Sequence, residues 1–170
     1  MVRKPLVGIL MGSDSDLPVM RKVIEVLDEM DVPYEIDISS AHRLPDKTAT
    51  YARTARERGI EVIIAGAGMA AHLAGVIASH TTLPVIGVPL SSGALNGVDA
   101  LYATVQMPPG IPVATVAIDG GKNAAYLACS ILSIKFPEIG DMLDAYREET
   151  RNQLQEKSKN LQKNLGGGYK

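Results

Sequence analysis

The chain has 170 residues, with 17 Lys and Arg against 19 Asp and Glu and 46% hydrophobic residues, which fits one domain with a full core. A formal net charge of −2 and an aromatic content of 4% remove the electrostatic and the base-stacking grounds for binding nucleic acid. With six Tyr, one Phe and no Trp against 16 Gly and 10 Pro, the core must be built from closely packed Ala, Val, Ile and Leu joined by tight turns.

In chain order, residues 6–11 form a continuous apolar run ending at Gly12, as a strand buried on both faces requires. Ser13-Asp14-Ser15-Asp16 follows, and then Val19/Met20, Val23/Ile24 and Val26/Leu27 recur at helical spacing. Tyr34, Ile36 and Ile38 alternate as a second strand. Pro45 and Asp46 open a second helix that Gly59 ends. A third strand is expected at 62–65, a mostly apolar helix at 70–79, and a fourth strand at 84–88. A helix near 98–105, a strand at 113–118 and a helix at 123–135 complete the rhythm. Alternating strands and helices predict an α/β fold, a three-layer doubly wound parallel sheet of flavodoxin-like type.

From 138 to about 163 the chain reads as a polar helix whose main anchors are Met142, Leu143, Tyr146, Leu154 and Leu161. It is either a solvated helix fraying into Gly166–Gly168 or an arm lying on a neighbouring subunit. Residues 1–137 and 138–170 are taken as an α/β unit and a C-terminal helix with its tail, within one domain. The helices at 70–78 and 124–134 lack a polar face and need cover on both sides, which predicts an oligomer.

Cys129 is the only cysteine, so no intrachain disulfide forms, and its apolar setting reads as a buried, inert thiol. The N-terminal stretch is too short for a signal-peptide core. Residues 62–78 are interrupted by Gly66, Gly68 and Gly75 and fall short of a membrane span. A protein without membrane or nucleic-acid partners, working in the cytoplasm, is expected.

Ligands of open parallel sheets bind beyond the carboxyl ends of the strands, which directs attention to the loops at 12–16, 39–43, 66–72, 89–96 and 119–122. Ser13-x-x-Asp16 reads either as a capping box or as a hydroxyl-and-carboxylate grip on a ribose. In Ser40-Ala41-His42-Arg43, a histidine able to move a proton near neutral pH stands beside an arginine able to hold phosphate, although a structural histidine is also common. The stretch from Gly66 to Gly75 combines close backbone approach at Gly68 with an apolar lining and His72. His72 and His80 are eight residues apart with no cysteine pair or carboxylate in metal spacing, so no metal is expected.

These segments resemble the class I PurE family, the N5-carboxyaminoimidazole ribonucleotide mutases of purine synthesis. MGSDSD (11–16), SAHRLPD (40–46), IIAGAGMAAHLAG (63–75), PVIGVPL (84–90), ALNGVDALYATVQMPPGIPVATVAI (94–118) and KNAAYLA (122–128) carry the resemblance, in register from about 7 to 139. It implies an isomerase that moves a carboxylate from an exocyclic nitrogen to ring carbon four of an aminoimidazole ribonucleotide, by release and recapture of CO2, with no cofactor or metal. It implies His42 as general acid and base, Arg43 on the ribotide phosphate, and Ser13, Ser15, Asp16 and Ser40 on phosphate and ribose. Gly68, Ala71 and His72 would surround the carboxylate or CO2, and the working unit would be a homo-octamer. Class II relatives, which carboxylate aminoimidazole ribonucleotide directly, carry Lys after SAH, so Arg43 favours class I. Where the family usually reads SAHRTP, GAGGAAHLPGM and MPRG or MPGG, this chain has Leu44, Met69, Ala74, Val76 and Pro109. A non-catalytic flavodoxin-like module is disfavoured: the first loop holds two aspartates, one Phe cannot sandwich a flavin, and the third strand ends without the aspartate of a phospho-receiver.

Overall fold

Strands β1 (Val7–Met11), β2 (Tyr34–Ile38), β3 (Val62–Gly68), β4 (Val85–Leu90) and β5 (Ala114–Thr115) pair in parallel, in the order β2-β1-β3-β4-β5. The computed structural model describes residues 3–165, and the glycines at 166–168 lie outside them. β1, most of β3 and all of β4 are buried, as their unbroken apolar runs predict for central strands covered on both faces.

Alternate side chains of the strands feed two cores. Ile9 and Ile64 point toward α1 (Leu17–Glu29) and α5 (Gly121–Leu132), where they join Met20, Val23, Leu27, Ala124 and Ala128. Leu10 and Ile63 point the other way, toward Ala52 and Ala55 of α2 (Pro45–Arg58) and Ile77 of α3 (Leu73–His80). The period-two geometry of a strand thus divides one apolar run between two helical layers. α4 (Val98–Val105) covers β4, with Ala100 and Thr104 buried. The three-layer doubly wound fold is as expected.

Helix ends follow the signals read from the sequence in several places. Pro45 opens α2 and Gly59, at φ 103°, closes it by donating to the Ala55 and Arg56 carbonyls. The bounds of α4 coincide with the expected 98–105.

Several element bounds differ from expectation. α3 begins at Leu73 rather than at residue 70, because Met69 adopts φ 53° and the Ala71 and His72 amides donate to the Met69 and Ala70 carbonyls in tight turns. β3 continues to Gly68, drawn out by pairing with Pro89 and Leu90. β5 shrinks to Ala114–Thr115, and α5 runs from Gly121 to Leu132 rather than from 123 to 135.

The final helix, α6 (Pro137–Asn164), docks through Ile139 and Leu143, and Tyr146 stacks on Tyr126 with ring centroids 4.7 Å apart. Leu154 and Leu161, expected as anchors, are instead exposed. The apolar α5 is covered by α1 and α6 of its own chain. Exposed apolar surface lies elsewhere, on Val98, Tyr102 and Val105 along one face of α4. Cys129 is fully buried, and burial pushes its thiol up to about 11. No described helix is long and apolar enough to cross a membrane.

Candidate active site

In this strand order the chain reverses its winding direction between β1 and β3, which leaves a crevice beyond their carboxyl ends. A cleft of about 460 Å³ occupies that place. It is lined by Ser13, Ser15, Asp16, Ser40, His42, Arg43, Gly68 and His72, so eight of the nine predicted residues come together. The ninth, Ala71, is 2% exposed and sits behind the wall. A larger cleft of about 800 Å³, bordered by Arg53, Arg56 and His80, lies near the start of β4 and takes none of them.

The first loop is a built turn. Ser13 Oγ accepts from the Ser15 amide, and the Ser13 amide donates to Asp16 Oδ2 at 3.0 Å, closing the capping box before α1. Burial pushes the Asp16 carboxyl up, opposed by the amides of Ser13 and Gly12. The capping-box reading of this loop holds, and Asp16 also faces the cleft.

The second loop is tied down from below. Buried Ser39 and Thr48 share a hydroxyl hydrogen bond of 2.7 Å, and Thr48 Oγ1 also donates to the Leu44 carbonyl. Lys47 Nζ donates to Asp37 and to the Ile38 carbonyl. Above this base Arg43 reaches across, donating from Nη2 to the Gly12 carbonyl at 3.1 Å and from Nε to Ser40 Oγ at 3.4 Å. Among the described residues no carboxylate forms an ion pair with Arg43. A guanidinium held by neutral acceptors keeps its charge available for an anion.

His42 Nε2 and His72 Nδ1 are 2.8 Å apart, with ring planes at 72°. Such a hydrogen bond needs one proton between the two nitrogens, so a doubly protonated pair cannot keep it. His72 reaches this position because the left-handed turn at Met69 delays α3 and places His72 at its start. The bond couples the two tautomers: when one of these nitrogens carries the proton, the other accepts.

Ser92, Met69, Ala41, Ala67, Ala70 and Leu73 also line the cleft. Ser92 is the polar residue among them that the sequence reading passed over. Its signal was available, since the loop at 89–96 follows a buried strand, but three tempting motifs lay in other loops.

The family model for AIR carboxylase matches residues 6–153. The chain belongs to the AIR carboxylase family. The N5-carboxyaminoimidazole ribonucleotide mutase of Pyrococcus horikoshii is 63% identical over 159 residues, covering 94% of this chain and 90% of that protein. The mutase of Thermotoga maritima is 58% identical, covering 93% and 92%. In three dimensions this AIR carboxylase family member is similar to the crystal structure of Treponema denticola PurE, with a TM-score of 0.84 and 32% identity over 92% of this chain and 98% of that one.

Proposed function

We propose that this chain is an N5-carboxyaminoimidazole ribonucleotide mutase, an isomerase of de novo purine biosynthesis. The observation that carries the reading is near-complete, 63% identical alignment with a relative of that name. The cleft contains the groups such a reaction needs.

In the proposed reaction Arg43 holds the ribotide phosphate, helped by the hydroxyls of Ser13, Ser15 and Ser40. Asp16 accepts from the ribose. His42 gives a proton to the exocyclic nitrogen as its bond to the carboxylate carbon breaks and CO2 leaves. Ring carbon four then attacks the CO2, the new carbon–carbon bond forms, and the proton on that carbon returns to His42. The proton count closes within one turnover, so no external acid or base is consumed. His72 holds the His42 ring through their shared hydrogen bond, and Gly68 lets the backbone come close to the CO2. Keeping both fragments in one cleft supplies much of the advantage, because recapture becomes an intramolecular event.

The test offers two substrates separately: the N-carboxylated ribotide, and aminoimidazole ribotide with bicarbonate. Rapid conversion of the first with poor use of the second at low bicarbonate is the expected result. The reverse preference would make the protein a carboxylase that uses CO2 directly. The same reading gives a cytoplasmic homo-octamer. The exposed apolar faces of α4 and α6 support assembly, and light scattering that returned a monomer would defeat that part.

A further inference from the structure

Three buried side-chain polar atoms among the described residues have no hydrogen-bond partner: Tyr51 Oη, Ser92 Oγ and Asp99 Oδ1. Of these residues only Ser92 lines the active-site cleft. Buried hydroxyls are nearly always paired in native proteins, so an orphan at the edge of a ligand cleft calls for a ligand.

The surroundings of Ser92 show a held position. Its neighbour Ser91 is fully engaged: the Ser91 amide donates to Asp119 Oδ1 at 2.9 Å and the Ser91 hydroxyl donates to Asp119 Oδ2. The Asp119 amide in turn donates to the Pro89 carbonyl. This clamp and the end of β4 at Leu90 together fix the chain immediately before Ser92. Across the cleft wall Ser92 Oγ lies against Gly68, where an added Cβ would stand only 2.4 Å away. The hydroxyl proton turns about the Cβ–Oγ bond, so it can be aimed at an acceptor without moving the backbone.

The strand order says which end of the substrate Ser92 meets. Arg43 and its acceptors Gly12 and Ser40 belong to the β1 and β2 side of the cleft. Ser92 follows β4, on the far side of β3, beside the Gly68 to His72 turn, from which His72 meets His42 of the second loop. We propose that Ser92 is a substrate-binding residue whose hydroxyl donates to the migrating carboxylate, away from the phosphate grip at Arg43. This rests on the mutase reading and assigns that site a further contact.

The test uses the full-length chain and its S92A and S92C variants. Binding of aminoimidazole ribotide and of its 4-carboxylated form is measured by titration calorimetry, and thermal unfolding is measured without ligand. A hydrogen bond to a charged group supports about a tenfold or greater loss of affinity for the carboxylated ribotide in S92A, with uncarboxylated ribotide unaffected. S92C, with a poorer donor of similar size, falls between. The unliganded S92A protein unfolds at the wild-type temperature or above it, because no internal hydrogen bond is lost.

Equal losses for both ligands, no loss for either, or a lowered unfolding temperature would each overturn the assignment. Wild-type protein that bound neither ribotide would sink the mutase reading itself, and the Ser92 proposal with it. Wild-type binding without discrimination by S92A would remove Ser92 alone.

Discussion

Replacing Gly68 with Ala tests the packing of the cleft wall quantitatively. An added Cβ would lie 2.4 Å from Ser92 Oγ, 3.3 Å from the Leu90 carbonyl and 3.4 Å from Ser92 Cβ. Only the first contact is prohibitive. Relieving it by displacing the serine costs about 2 kcal/mol, within the usual range for overpacking. Gly68 is not among the residues with positive φ, so alanine suffers no backbone strain and recovers about 0.7 kcal/mol by restricting the unfolded chain. The net loss of about 1.3 kcal/mol corresponds to a fall of roughly 3–5 °C in the midpoint for a chain of this size. Removing the oxygen removes the clash, so in the S92A background Gly68→Ala should be neutral or slightly stabilising. Circular-dichroism melts of the four proteins give a coupling of about 1–2 kcal/mol. Equal shifts from Gly68→Ala in both backgrounds would refute the contact.

Other expectations concern the same groups. His42→Asn should abolish turnover with nucleotide binding largely kept, whereas Arg43→Ala should mainly weaken ribotide binding; steady-state kinetics and calorimetry separate the two. Burial raises the Asp16 carboxyl, so the folded state disfavours its ionised form, and its contribution to stability is present at acid pH and declines as pH rises through the raised value. Asp16→Asn should therefore melt at or above the wild-type temperature near neutral pH, lose that part of the pH dependence, and bind ribotide poorly, as paired melts across pH and titrations would show. Cys129, buried and with its thiol pushed up to about 11, should react with a thiol reagent only after denaturation; rapid labelling of native protein would contradict its packing.

Much of the fold was legible because buried parallel strands leave a pattern that little else produces. The runs at 6–11, 62–65 and 84–88 could pass only as central strands or short buried helices, and Gly12, Gly59 and Pro45 settled the boundaries. The start of α3 was not legible in the same way. Ala70 and Ala71 have high helix propensity, and the turn that excludes them comes from Met69 in a left-handed conformation that a Met rarely adopts. Cover for α5 was misassigned to a partner because its source, the first turns of α6, lay in a segment that reads as polar on average. The cleft residues were found as three separate loops. What no sequence pattern states is that His42 and His72, thirty positions apart, meet at 2.8 Å, or that Ser92 stands unpaired in the same cleft.

The distribution of local costs separates the work of the core from that of the site. Of the non-glycine residues with positive φ among the described residues, Met69, Asn96 and Asp119 lie in loops after β3, β4 and β5, and only Asp31 lies elsewhere. The orphan Ser92 hydroxyl and the partly buried Asp16 carboxyl are at the same end of the sheet. A left-handed non-glycine residue costs on the order of 1 kcal/mol or more, and an unpaired buried hydroxyl a similar amount. Fully buried side chains such as Ile9, Ile64 and Ile86 each contribute about 1.5–3 kcal/mol and lie along the strand interiors, away from the chemistry. The core can therefore carry a site whose loops are locally unfavourable. Substitutions that relieve those loops should raise stability and lower turnover together, whereas substitutions in the two apolar clusters should lower stability and leave the chemistry of the folded fraction intact.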